Sequence, residues 1–468
     1  MSVEGTVAVV GGGIAGLTAA LRLHQRGARV TIIEADTHLG GKLRTTPFAG
    51  RLVDEGADAF LLRVPWALDM CRELGIEGEL VNPGSRTAYI YSRGKLHPLP
   101  PQLMGVPTDL DAVAEGGLLS DEGLDRLGRD LTLAPTPLAD GDDTVAAVVE
   151  RRLGPEVLER LVDPLIGGIN AGDTRRLSLR AAVPQLDAAA RDLAHPSLVE
   201  ACRAQQSRSE MGPEAPIFAS PSAGMGRLVG AVTSALEGVA VRVGTRVDAL
   251  GPDPAGGGSI LHLDDGSSMQ ADAVVVAVPP HVGAPLLREV AGTASALLAG
   301  VEHASVAIVT LAVRRDDIAR SLDASGFLVP RVEHLALTAC SWTSAKWHHL
   351  GPGHGDGTEI VRASVGRHGS TEALDLGDDD LIARVLDDLA VTMALRGAPT
   401  EVRVSRWPQG FPQYAPGHLE RIDEVERLLP HRVALAGAGL RGVGVPACIR
   451  SGNEAADRIA GHLHPARA

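Results

Sequence analysis

The chain is short of cysteine, lysine and aromatic residues and has no long apolar run, and each shortage closes a class of function. Its four cysteines, Cys71, Cys202, Cys340 and Cys448, lie more than a hundred positions apart in 468 residues. They form no CxxC or metal-spaced cluster, so no bound metal is expected and a reduced, cytoplasmic setting fits. No stretch approaches the ~18 consecutive apolar residues that a membrane-crossing helix needs. The start, Glu4 followed by a glycine-broken apolar run, lacks the basic residues and small-residue cleavage site of a secretory signal. Basic side chains number 44 against 58 acidic ones, and a net charge of -14 repels phosphate backbones, so no nucleic-acid partner is expected. There is no GxSxG elbow and no Ser-His-Asp pattern, which removes the hydrolytic chemistries those motifs carry. Only Lys42, Lys95 and Lys346 stand against 41 arginines, and aromatics make up 3%; this reads as coding bias rather than chemistry.

What is present suffices for real cores: 44% of residues are hydrophobic, and the length suits two or three domains. The opening segment reads strand, turn, helix, strand. Val7-Ala8-Val9-Val10 leads into Gly11-Gly12-Gly13-Ile14-Ala15-Gly16, then helical Leu17 to Arg26, then Arg29 to Glu34. Apolar β-branched runs of this kind suit parallel strands buried on both faces. From Arg93 to about Glu210 apolar residues fall at helical spacing, with Val157, Leu158, Leu161, Val162 and Leu165 as one stripe behind Gly154-Pro155. A loop rich in Pro, Gly and Asp, Pro135 to Asp143, interrupts this segment. Strand patterns return at Val239 to Leu250, at Ser259 to Leu263 with the hairpin signal Asp264-Asp265-Gly266, and at Ala273 to Val278. Alternating runs from His303 to about Val404, among them Val306 to Val313 and Ile360 to Val365, predict a second sheet. A last strand, Val433 to Gly437, precedes a second glycine-rich turn and a helix around Gly452 to His462.

A bare GxGxxG means little in a chain with 55 glycines, but here it follows a strand, opens a helix, and is completed by Glu34 at the end of the next strand. Gly11 allows the tight turn, Gly13 lets a diphosphate approach backbone, and Gly16 lets helix and strand pack. The helix N-terminus offers N–H groups and a positive dipole end to that diphosphate. Glu34 can accept hydrogen bonds from a ribose diol and would repel a 2′-phosphate, so the cofactor is FAD or NAD rather than NADP. Beyond it, Gly40-Gly41-Lys42-Leu43-Arg44-Thr45 resembles the diglycine motif of FAD oxidases related to amine oxidases. Gly439 to Ile449 with Ser451-Gly452-Asn453-Glu454-Ala455-Ala456 is similar to the C-terminal flavin motif of the same superfamily.

The likeness then narrows. Leu161 to Asp173 with Leu177-Ser178, Gly94 to Pro100, Gly326-Phe327-Leu328-Val329-Pro330, Trp342 to Trp347, Arg406-Trp407-Pro408, and Gln413-Tyr414 with Gly417-His418 resemble the FAD-dependent porphyrinogen oxidases of haem biosynthesis. This coproporphyrinogen III and protoporphyrinogen oxidase family is matched from about Val7 to Ile459. The resemblance implies an α/β fold: a Rossmann-type, amine-oxidase-like FAD-binding domain with a mixed-sheet substrate domain and a helical insertion. Its expected pieces are 1–90, 212–285 and 406–468 for FAD, 91–211 for the insertion and 286–405 for the substrate sheet. It also implies oxygen-dependent oxidation of a porphyrinogen by loss of six hydrogens, in three two-electron rounds with release of hydrogen peroxide. Coproporphyrinogen III is the expected substrate, with protoporphyrinogen IX as the alternative; an amine oxidase, a polyene desaturase and a non-catalytic flavin- or haem-binding protein are the other readings.

Residue by residue, the resemblance places Arg86 on a substrate propionate, the Gly168 carbonyl against pyrrole N–H groups, and Phe327 and Leu328 on the ring faces. For FAD it implies Gly11, Gly12, Gly13, Ile14, Ala15 and Gly16; Glu34 and Ala35; Gly41, Lys42 and Leu43; Gly56, Ala57, Asp58 and Ala59; Val247; Trp407; and Val443, Gly444 and Val445. Two departures stand out. Glu55-Gly56-Ala57-Asp58 replaces a Gly-Pro loop, and Asn170 stands where relatives carry an aromatic, which is expected to change pocket polarity. Arg44, Arg63, Arg86 and Arg93 are candidates for a basic pocket mouth. The resemblance leaves room for peripheral membrane contact at the inner face of the cell membrane, hand-off to a ferrochelatase, and a monomer or homodimer.

Overall fold

In a computed structural model, which describes residues 3–134, 141–208, 215–254, 256–351 and 357–465, most of the apolar runs become strands of two large sheets. The first has five strands, all parallel, in the order Ala240–Arg242, Arg29–Ile33, Thr6–Val10, Ala273–Val276, Val433–Leu435. The central run is buried on both sides, Ala8 and Val9 completely, as a continuous apolar strand requires. Helices Ile14–Gln25 and Val445–Ala460 cover one face through Leu17, Leu21, Ile449 and Ile459. Helices Pro280–Leu286, Gly292–Ala299 and His418–Leu428 cover the other. From Thr6–Val10 the chain steps to a neighbour on one side and later returns to the other, so a switch point lies at the carboxyl end of Val10.

Two expectations are corrected here. The run Val239 to Leu250 is not one strand. Gly244, at φ +62, turns the chain, leaving Ala240–Arg242 in the parallel sheet and Val247–Pro252 in an antiparallel sheet with Ser259–Leu263 and Ser268–Ala271. The last helix starts at Val445, not near Gly452, because Gly444 and Pro446 form a helix start that the glycine count obscured.

The second sheet has seven strands in the order Glu401–Pro412, His303–Arg314, Thr358–Val365, Leu337–Ser341, Gly326–Leu328, Tyr89–Ser92, Lys95–Pro98. All neighbours are antiparallel except Gly326–Leu328 with Tyr89–Ser92. Helix Asp378–Met393 seals one face with Leu381, Val385, Leu389 and Met393. Ile90, on the other face, joins the core of the helical segment that includes Val145–Leu153 and 155–170. In that segment Val157, Leu158, Leu161 and Val162 are buried as the stripe predicts, but Ile166 rather than Leu165 completes it. The reason is a π-helical turn over Leu158–Val162, which rotates the following residues relative to a 3.6-residue repeat. Residues 135–140 of the expected Pro135 to Asp143 loop lie outside the described residues.

Candidate active site

The opening turn is made by close approach. Gly11 has φ +105, and a Cβ there would meet the Ala277 carbonyl oxygen at 2.7 Å; a Cβ on Gly16 would fall on the Gly11 carbonyl oxygen. Gly13 differs: a Cβ there would meet no atom of the described residues within 4 Å, so its backbone borders space open to a ligand. Gly13 is the cap of helix Ile14–Gln25 and no side chain fills it, leaving first-turn N–H groups and the positive dipole end facing that space. Helix Val445–Ala460 also begins uncapped, at Gly444. Each helix follows a strand of the parallel sheet, so both N-termini emerge at its carboxyl edge. They pack so closely that a Cβ on Gly452 would strike the Ala15 carbonyl. Gly40 closes the turn by donating to the Gly12 carbonyl at 2.8 Å, and Gly41, at φ +56, lies against Gly13.

Glu34 braces this turn. One of its carboxylate oxygens accepts the Gly12 N–H at 2.6 Å and the other the Asp36 N–H at 2.8 Å. Its backbone bonds Arg242 and Thr245 at 2.8 and 3.0 Å, which brings the strand starting at Val247 alongside; Ala35 is exposed beside it. Leu43 is buried in the sheet's core. Lys42 has no carboxylate partner among the described residues. Burial lowers its pKa, and its amino group lies 6.0 Å from the Phe411 ring centroid. His281 and His303, stacked edge-on at 4.5 Å, stand nearby, and burial pushes His303 down to about 4. A cationic side chain without a counter-ion, two uncapped helices and a glycine turn open at Gly13 together fit a dinucleotide carrying a diphosphate.

The segment Gly56 to Ala59 is held from three sides. A Cβ on Gly56 would collide with the Lys42 carbonyl, and Trp407 donates its indole N–H to the Glu55 carbonyl at 3.3 Å. The Asp58 carboxylate is turned inward, 2.8 Å from Lys346 Nζ, 3.4 Å from Arg362 and 3.2 Å from the Trp347 indole nitrogen. Burial alone would raise its pKa, but Lys346 and Arg362 outweigh that and hold it well below the usual carboxylate range. Arg362 also donates to the Gly56 carbonyl. So the Asp58 carboxylate is spent on these ion pairs, a role its spacing does not reveal because its partners lie nearly 300 positions away.

The turn before Val443, Gly444 and Val445 has a strut that the sequence named without a function. The Tyr414 hydroxyl donates to the Ala438 carbonyl and accepts the Gly442 N–H at 2.9 Å. Its ring stacks on His418 at 4.1 Å, and His418 bonds the Leu440 carbonyl at 2.8 Å. Tyr414→Phe is therefore expected to loosen this turn, weakening cofactor retention by about tenfold for the lost bonds; a cofactor titration of the stripped protein checks it, and unchanged affinity refutes the strut.

The substrate-side residues separate. Gly168, exposed in the run Leu161 to Asp173, faces Leu328, whose Cδ2 lies 3.6 Å from where a Gly168 Cβ would sit. Phe327 is 2% exposed and points the other way, into the core against Trp342 at 6.2 Å. Adjacent strand residues face opposite sides of a sheet, so only Leu328 shares the Gly168 face; the expectation for Phe327 is corrected. Asn170 is also corrected: its amide donates to the Ile166 carbonyl at 2.9 Å and it is buried, so it ends a helix rather than wetting a pocket. Arg86 is exposed on a loop tied to Ser325 through Ser85 and Thr87. Of the other basic candidates, Arg44 pairs with Glu55 at 3.4 Å and Arg93 with Glu156, while Arg63 is exposed.

Comparison with known proteins fits this arrangement. The family model for flavin-containing amine oxidoreductases matches residues 14–460. The coproporphyrinogen III oxidase of Bacillus subtilis (strain 168) is 34% identical over 463 residues, covering 96% of each chain. That of Mycobacterium tuberculosis (strain H37Rv) is 36% identical over 461 residues, again covering 96% of each. Among solved structures, a protein from Exiguobacterium sp. 255-15 described as a protoporphyrinogen oxidase superposes with a TM-score of 0.86 at 29% identity, covering 98% of this chain and 99% of its own.

Proposed function

The chain belongs to the flavin-containing amine oxidoreductases and, within them, to the coproporphyrinogen III oxidase family, and we propose that it oxidises coproporphyrinogen III to coproporphyrin III. The macrocycle loses six hydrogens, three molecules of O2 are reduced, and three of hydrogen peroxide leave. FAD, when bound, supplies the hydride acceptor and the reaction with oxygen. The observation that carries the reading is the exposed Gly168 of helix Asp163–Asn170 set against Leu328 of the seven-stranded sheet, in a chain whose other half presents two uncapped helix ends around a glycine turn.

In this reading Gly11 to Gly16 and Gly41 to Leu43 hold the diphosphate. Glu34, Ala35 and Val247 border the adenosine end, and Gly56 to Ala59, Trp407 and Val443 to Val445 enclose the flavin end. The chain's task toward the substrate is orientation. The Gly168 carbonyl accepts pyrrole N–H groups, the Leu328 side chain packs on the ring, and Arg86 takes a propionate. No helix among the described residues is long and apolar enough to cross a membrane. Exposed Leu131, Leu133 and Leu193 on the helical segment are the residues we assign to peripheral membrane contact.

The test is turnover in air. Coproporphyrinogen III should give porphyrin fluorescence with three peroxides per porphyrin, and faster than protoporphyrinogen IX. Preference for the dicarboxylate overturns the substrate assignment, and bleaching of the flavin by amines overturns the reaction. Arg86→Ala should raise KM for the porphyrinogen about tenfold, the worth of one charged hydrogen bond, at unchanged flavin content; loss of flavin instead shows that Arg86 serves the cofactor.

A further inference from the structure

A buried arginine normally has its donors filled, and this chain contains the comparison. Arg152 and Arg367 are each 6% exposed. Every guanidinium nitrogen of Arg152 is bonded: the side chain reaches the Asp130 carboxylate at 2.6 Å and the carbonyls of Ala134, Pro196 and Asp130 at 2.9, 2.8 and 3.3 Å. Arg367 differs. One of its side-chain nitrogens reaches the Val329 carbonyl at 3.5 Å, and its Nε, like those of the equally buried Arg51 and Arg362, makes no hydrogen bond among the described residues; unlike Arg362, which pairs with Asp58, Arg367 makes no ion pair among the described residues.

The acids that act on Arg367 are already engaged. Asp163 accepts the Thr174 hydroxyl at 2.7 Å and lies 3.3 Å from Arg331, and Asp173 accepts the Arg175 N–H at 2.9 Å. Arg331 adds a second positive charge and is itself spent on Asp163 and on the carbonyls of Gly172 and His368 at 2.6 and 3.2 Å. Burial pushes the Arg367 pKa down to about 10, and the Arg331 charge adds to this. A desolvated guanidinium with its fork unfilled is the feature that accepts a carboxylate in two parallel hydrogen bonds.

Its position relates it to the proposed substrate face. The Arg86 loop is held at the start of strand Gly326–Leu328, where Ser325 bonds Ser85 and Thr87 at 2.8 and 2.9 Å. Arg331 and the Val329 carbonyl mark the strand's other end, with Leu328 and Gly168 between. From Ser325 to Val329, whose carbonyl Arg367 reaches, the chain spans at most about 14 Å, the scale of a tetrapyrrole ring with its side chains. Resting on the proposed function, we infer that Arg367 is a second carboxylate anchor, opposite Arg86, that takes one of the propionates coproporphyrinogen carries and protoporphyrinogen lacks.

The test uses the flavin-loaded protein. Arg367→Gln should raise KM for coproporphyrinogen III at least tenfold more than KM for protoporphyrinogen IX, and should weaken binding of coproporphyrin III, read by fluorescence titration, at least tenfold. Equal effects on both tetrapyrroles, or none, overturn the anchor. If the variant loses flavin, the decision falls to the unaltered protein, in which coproporphyrin III should bind at least a hundredfold more tightly than its tetramethyl ester, beyond the roughly tenfold that Arg86 alone supplies, and to Arg367→Lys, which should narrow that ratio. A ratio no greater than that tenfold overturns the anchor. A protein that turns over neither porphyrinogen fails the proposed function instead.

Discussion

Gly16→Ala is expected to give a protein that purifies nearly colourless. The added Cβ would fall on the Gly11 carbonyl oxygen and lie 3.1 Å from the Ala277 Cβ. The first obstacle is backbone in a turn fixed on both sides, by the Gly11 N–H on the Ile33 carbonyl at 2.8 Å and by Glu34 on Gly12. Relief requires helix Ile14–Gln25 to move off the strand, which carries its uncapped N–H groups away from the diphosphate. Losing two charge-assisted hydrogen bonds at ~1.5–3 kcal/mol each weakens the cofactor by roughly a hundredfold or more. The ratio of visible to ultraviolet absorbance and a titration with FAD measure it. Gly13→Ala provides the contrast, because its Cβ meets no atom of the described residues within 4 Å: the stripped protein should unfold at the unaltered temperature, yet bind FAD more weakly. A yellow Gly16→Ala protein of normal affinity would show that the turn does not hold the diphosphate.

That pair also marks how far the sequence was readable. Gly11, Gly16 and Glu34 are legible because a dinucleotide turn needs fixed spacings within one βαβ unit, and local chemistry decides them. Leu328 and Phe327 are not separable in the same way. The strand Gly326–Leu328 has three residues and is apolar toward both faces, so alternation gives no sign of which side is core. The π turn at Leu158–Val162 rotates the residues after it, so that Ile166 is buried and Leu165 only half-buried, a choice between two positions that a 3.6-residue repeat admits alike. The unfilled Arg367 is one of 41 arginines, and only its surroundings distinguish it. Contacts between distant segments, rather than residue type, separate a structural side chain from one that waits for a ligand.

The buried ions around Asp58 carry the second large expectation. Asp58→Ala removes one negative charge and leaves Lys346 and Arg362, of which Arg362 is only 7% exposed at its side chain, without a counter-ion. Breaking such a network by deleting one partner costs ~3–5 kcal/mol, which should lower the unfolding midpoint by roughly 5–10 °C. Lys346→Met should cost less, since Asp58 keeps Arg362 and the Trp347 N–H. Arg362 also holds the Gly56 carbonyl, so on the proposed placement of Gly56 to Ala59 at the flavin, flavin retention should fall in Asp58→Ala and hold in Lys346→Met. The pH dependence has one sign. A carboxyl whose folded pKa lies below its unfolded value adds stability fully above the unfolded value, near 4, and loses it as pH falls through the folded one. Asp58's share of stability is thus intact at neutral pH and declines only in acid, and the difference in midpoint between the unaltered protein and Asp58→Ala should narrow below about pH 4. A constant difference down to pH 2 would place the cost in lost packing rather than in the ion pairs.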